Sequence, residues 1–232
     1  MTPPRLSLRK YAPPGLVALW LAAQLLALHQ GPRVVYDSHR YLGYAQQLVD
    51  GWGIGSTHNV RYLGYAAYLS AFLRAGLGLW PIILGQTLLS GLATVAYYRA
   101  FRYLTPADWR PAVLATALTI AWPDLQRFNA YLLTESLFAS AVMVSFWAVA
   151  RLRQPRHVLL ALPVFLAATL LRPNGFLVPA AAAATLLYGV WHRSARPGRI
   201  GLALLTATLF GAAIPLLNRW LTTYHLIQTY AR

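Results

Sequence analysis

The sequence predicts an all-α, polytopic membrane protein with about seven transmembrane helices, and three observations carry that reading. Apolar types make up 58% of the 232 residues, against 11% charged. Apolar runs follow one another with few charges inside them, and ~20 such residues cross a bilayer as a helix. The basic residues gather between the runs, where they set topology. No comparable stretch remains for a soluble domain, so residues 1–232 read as a single transmembrane module.

The first span, 15–30, follows Arg5, Arg9 and Lys10. No clear small-residue cleavage site comes after it, so it reads as a retained helix and not a signal peptide. The second, 80–98, ends against Arg99, Arg102 and Arg110, and the third is 112–126. The fourth, 133–150, ends against Arg151, Arg153 and Arg156. Spans 157–171 and 175–191 are joined through Arg172, and 200–217 follows Arg193, Arg196 and Arg199. The four clusters then share one side and hold twelve of the 20 basic residues, which the positive-inside rule makes cytoplasmic. The expectation is a plasma (inner) membrane protein with its N-terminus inside and its C-terminus outside. Segment 62–77 is apolar but short of a full span. A crossing there would reverse the charge bias, so a re-entrant or interfacial helix on the outer face is expected.

Composition removes other classes. With no cysteine, disulfides, thiolate metal sites and cysteine nucleophiles are excluded. The net charge of +15 would suggest nucleic acid in a soluble chain, but no groove-reading motif accompanies it, so no nucleic-acid partner is expected. Phosphate-loop, zinc-protease and nucleophile-elbow motifs are absent. No acid falls in mid-span, where ion-coupling sites usually lie.

The eight basic residues left outside are Arg33, Arg40, Arg61, Arg74, Arg127, Arg172, Arg219 and Arg232, with Asp37, Asp50, Asp124 and Glu135 on the same face. Such arginines either snorkel to headgroups or face a cavity with partners. In the outer loop, 31–79, Asp37, Arg40, Tyr41 and Tyr44 fall at i, i+3, i+4 and i+7, one face of a short interfacial helix. Asp37 projects toward a cavity or caps that helix. Glu135 orients an arginine or sugar, or serves as a first-turn acid. The hexapeptide 40–45 recurs at 61–66, which chance composition explains. No cofactor is fixed by these residues. A divalent metal at Asp37 and His39 is an open alternative, short of the three ligands tight binding needs.

In order, these motifs resemble the GT-C class of polytopic glycosyltransferases, in particular bacterial members related to protein O-mannosyltransferases and lipid A aminoarabinose transferases. The matching residues are Asp37-Ser38, Tyr41-Leu42, Ala45 and Leu48 to Gly51, then Arg61-Tyr62-Leu63-Gly64-Tyr65-Ala66, where the family has proline at positions 63 and 66. Leu133-Thr134-Glu135 and Arg172-Pro173 follow, with Pro215 and Asn218-Arg219 as a looser match near the last span. The resemblance covers about residues 15–225 and corresponds to the family's seven-helix module alone. It implies inverting transfer of a sugar from a polyprenyl-phosphate donor, on the outer face, to a glycan, lipid or protein acceptor. It also implies Asp37 as the general base, with Arg40, Arg61, Tyr65, Glu135, Arg172 and Arg219 binding substrate. The alternative is a non-catalytic polyprenyl-phosphate-binding module, such as a flippase component or a subunit that needs a partner.

Overall fold

The computed structural model describes residues 8–51, 62–151 and 155–191. Arg61, Arg219, Asn218 and the span expected at 200–217 lie outside the described residues. Every regular element described is helical: α1 (Leu8–Leu28), α2 (Tyr36–Val49), α3 (Leu63–Arg74), α4 (Leu79–Leu104), α5 (Arg110–Ala121), α6 (Pro123–Arg127), α7 (Thr134–Ala150), α8 (Pro155–Leu171) and α9 (Leu177–Trp191). Short 3-10 turns at Phe128–Ala130 and Pro173–Phe176 precede α7 and α9.

The run expected as one span at 112–126 is broken. Trp122 is extended, with ψ 108°, because Pro123 disfavours helix in the residue before it and lacks an N–H. The chain restarts as the five-residue α6. Among the described residues, only Leu79–Leu104 is long and apolar enough to cross a membrane by itself. The other apolar helices, Ala12–Leu28, Arg110–Ala121, Thr134–Ala150 and Ala161–Leu171, have 10–17 residues each. Segment 62–77 folds as α3, whose 12 residues give ~18 Å at 1.5 Å per residue, short of a ~30 Å hydrocarbon layer and the same length as α5.

Helices α4 and α7 pack parallel, start beside start. Gln86 of α4 reaches the carbonyls of Asn129 and Tyr131 just before α7, while Tyr97 and Phe101 meet Phe146 near the other end, at 5.5 and 5.2 Å between ring centres. Helix α8 packs against α7, and α2 and α3 pack together over the end where α7 begins. Tyr41, Ala45, Tyr65, Leu69, Ile82, Leu137, Ala141, Ala168 and Leu171 form the core joining α2, α3, α4, α7 and α8. Small residues recur at these contacts, letting backbones approach.

Buried polar side chains hold this core together. Asn129 donates to Gln24 Oε1 (2.9 Å) and Ser90 Oγ (3.2 Å), and accepts from Ser136 Oγ (2.6 Å). Gln24 in turn donates to Gln126. The hydroxyls of Thr87, Thr94, Thr116, Ser140 and Thr169 each donate to the carbonyl four residues earlier, so they sit in apolar surroundings without an unmet bond. The outward surface is the apolar one: Leu25, Leu26, Leu88, Leu114 and Leu118 are 73, 74, 63, 61 and 62% exposed.

Candidate functional site

The ends of α1, α5 and α8 and the starts of α4, α7 and α9 meet at one end of the bundle. Arg99, Arg102, Arg110 and Arg151 belong to the opposite helix ends. A short backbone bridge organises the first end. The Arg33 N–H donates to the Ala130 carbonyl (2.8 Å) and the Leu132 N–H to the Arg33 carbonyl (3.0 Å). The Arg33 guanidinium also donates to the Tyr131 hydroxyl at 2.9 Å. This ties the segment leaving α1 to the one entering α7, so α2 starts beside the N-terminus of α7.

Helix α2 begins without help from Asp37. The Val35 N–H donates to Ser38 Oγ at 3.0 Å, so Ser38 satisfies the terminal donor and Asp37 sits in the first turn with its carboxylate outward. The capping alternative for Asp37 is therefore corrected. Asp37 pairs with Arg40 at 3.6 Å, both about half exposed (53 and 46%). A hydrogen bond with the Tyr44 hydroxyl, more than the Asp37 charge, raises the Arg40 pKa further above its ordinary value. The buried face of α2 is Ser38, Tyr41 and Ala45, so Tyr41 points inward while Asp37 and Arg40 stay on the rim.

Tyr41 links the rim to α7. Its ring packs against Tyr62 and Tyr65, at 5.3 Å in each case, and its hydroxyl bonds Thr134. Burial is the main cause pushing its pKa up to about 12; Tyr62 and the Glu135 and Asp37 carboxylates add to the rise, and the Thr134 bond opposes it. Next along α7, Glu135 Oε1 meets Arg172 Nη1 at 2.9 Å, with side chains 25 and 32% exposed. Arg172 also lies 5.7 Å from the Phe138 ring centre. Its position follows from its neighbours. Pro173 favours extended backbone at Arg172 (φ −149°, ψ 150°). Gly175 then turns back so closely that a Cβ there would lie 1.9 Å from the Ala168 carbonyl oxygen.

Asp37, Arg40, Glu135 and Arg172 thus share one end, bridged by Tyr41 and Thr134. Tyr65, also expected to bind substrate, faces the core and not the exposed end. It is fully buried, its hydroxyl donates to Gln86 Oε1 at 2.8 Å, and burial holds its pKa well above the usual value. The residue before it shows why the segment is fixed. Gly64 meets the Leu170 backbone so closely that a Cβ would lie 3.0 Å from it. His39 is exposed beside Asp37, and among the described residues no three His, Asp or Glu side chains gather as a metal site. Tyr131 and Asn129 carry no local signal in the sequence, because Arg33 and Gln24, which they bond, lie 98 and 105 residues away.

Behind the Glu135–Arg172 pair lies a cleft of about 640 Å³ between α4, α7 and α8, with Gly64 of α3 at its edge. Its lining is almost wholly apolar and includes Leu89, Leu92, Val144 and Val164. Its lining runs from Leu137, two residues after Glu135, and Leu171, next to Arg172, to Val144 and Pro163. That is a run of ~10–12 Å along the helices at 1.5 Å per residue.

No known protein family, curated protein or solved structure matches the chain.

Proposed function

We propose that this chain is an integral membrane protein of GT-C type that transfers a sugar from a polyprenyl-phosphate donor to an acceptor hydroxyl on the outer face. The carrying observation is the Glu135–Arg172 pair close to an apolar cleft whose lining includes Leu171, the residue before Arg172. A guanidinium suited to phosphate oxygens adjoins a trough suited to hydrocarbon, which is the chemistry of a lipid phosphate.

Membrane residence is supported by the inverted surface, with leucines outward and amides inward, since large exposed apolar areas mark lipid or partner contact. The shorter helices fit a bilayer that thins locally around them. With α3 interfacial, the arginines at the ends of α4, α5 and α7 fall on the cytoplasmic side.

In the transfer, the acceptor oxygen bonds to the anomeric carbon from the face opposite the phosphate. The carbon–oxygen bond to phosphate breaks, and its electron pair leaves on the phosphate oxygen. Asp37 takes the acceptor proton, and Arg40 and Arg172 stabilise the departing charge. By resemblance Arg61 and Arg219 join them. The same pair and cleft would also serve a non-catalytic lipid-phosphate-binding module.

The test uses the purified full chain in proteoliposomes with defined polyprenyl-phosphate sugars, measuring donor binding and donor loss. Asp37→Asn should retain binding and lower turnover by ~10²–10⁴-fold. Unchanged turnover removes Asp37 from catalysis. Donor that binds wild type and is never consumed, with any acceptor or partner, favours the non-catalytic module.

A further inference from the structure

We propose that the Glu135 carboxylate is a stand-in for the lipid phosphate, holding Arg172 while the site is empty and yielding it when the phosphate arrives. This rests on the lipid-phosphate reading above and concerns how that ligand enters and leaves.

The carboxylate occupies a seat built for an anion. Arg172 Nη1 lies 2.9 Å from Oε1, and Thr134 Oγ1 lies 3.3 Å from Oε2. Glu135 is also in the first turn of a 17-residue helix whose preceding residue, Leu133, supplies no side-chain cap. A guanidinium, a hydroxyl and a helix start stabilise phosphate oxygens by the same means as carboxylate oxygens. The cleft lining includes Leu171, next to Arg172 in the chain, and Leu137, two residues after Glu135, so a chain lying in it would have its head near Arg172. Two anions on one guanidinium repel, so the phosphate and Glu135 exchange places. The exchange is reachable from outside, because the two side chains are a quarter to a third exposed. The Asp37–Arg40 and Asp124–Arg127 pairs are longer, at 3.6 and 3.9 Å, and more exposed. The cleft lining includes Leu171, the residue before Arg172, and no residue adjacent in the chain to either of those pairs.

The exchange has a purpose in turnover. A sugar-bearing phosphodiester carries one negative charge, the same as the carboxylate it displaces. The phosphate monoester left after transfer carries more, as a phosphorylated side chain does, and would be held more tightly. A carboxylate tethered beside Arg172 competes at high effective concentration and helps expel it.

Binding of farnesyl phosphate to the detergent-solubilised full chain tests this, with farnesol and inorganic phosphate separating the contributions of chain and head. Glu135→Gln keeps size and an acceptor oxygen but drops the charge. It should bind farnesyl phosphate about two- to fivefold more tightly than wild type, the worth of one part-exposed ion pair, and release it more slowly. Arg172→Ala should bind at least tenfold more weakly. Arg172→Lys offers a milder variant should alanine lower the thermal midpoint. If Glu135→Gln binds equally or more weakly while wild type binds and Arg172→Ala does not, the stand-in is overturned and the lipid-phosphate site survives. If wild type and Glu135→Gln both fail to bind, or bind farnesol as well as farnesyl phosphate, the lipid-phosphate reading falls and the stand-in with it.

Discussion

Tyr41 sits between a half-exposed ion pair and a buried aromatic cluster, and its phenol feels both. Burial and the two carboxylates favour its neutral form, which raises its pKa from 10 to about 12. A raised phenol pKa stabilises the fold fully below the unfolded value near 10. That contribution fades as pH rises toward 12. Ultraviolet titration should therefore show a tyrosine ionising near pH 12 that is missing from Tyr41→Phe. Thermal stability of Tyr41→Phe should also fall less than that of wild type between pH 10 and 12. Identical titrations for the two proteins would mean that Tyr41 is solvated. At this scale, Glu135 and Arg172 were readable from their motifs, because each stands at a helix boundary that its own neighbours create. Their pairing was not, because nothing local says that the start of α7 faces the end of α8.

The turn Pro173–Phe176 sets where Arg172 points, and its weakest tolerance is at Gly175. Alanine there puts a methyl 1.9 Å from the Ala168 carbonyl oxygen, so the turn must shift and the Glu135–Arg172 contact must open. The expected cost is about 1–3 kcal/mol, typical of overpacking, together with weaker farnesyl phosphate binding. Asn174→Ala, at the exposed neighbour, should stay within about 0.5 kcal/mol. Thermal unfolding and binding measured on both variants check this, and equal behaviour would release Arg172 from control by the turn. Element boundaries were legible where proline or charge marks them, as at Arg172-Pro173 and after Ala150. The break at Trp122-Pro123 was missed because the apolar run continues through it. On α2, Asp37, Arg40 and Tyr44 meet on one face as their spacing implies, but the buried face is Ser38, Tyr41 and Ala45. Ser38 is inside because it closes the helix start, and Tyr41 follows it inward while Asp37 and Arg40 remain outside.

Across the whole molecule, the charge pattern makes a topological claim that the cysteine-free sequence makes easy to check. Single cysteines at the exposed positions Tyr36 and Arg127 should react with an impermeant thiol reagent applied from outside. One at exposed Ala107 should react only after permeabilisation. Outside labelling at Ala107 would mean that α3 crosses and the sidedness of the later helices is reversed. The composition already implied an all-helical chain with an apolar exterior. It could not reveal the amide cluster that locks the helices, because those contacts join residues far apart. Gln24 finds Gln126 and Asn129 across separations of 102 and 105 residues. That separation becomes a delay during biogenesis. At ~5–20 residues per second, the ribosome makes Gln24 roughly 5–20 s before its partners exist. A first helix already in lipid would wait that long with a bare amide, a natural moment for an insertase or chaperone to hold it.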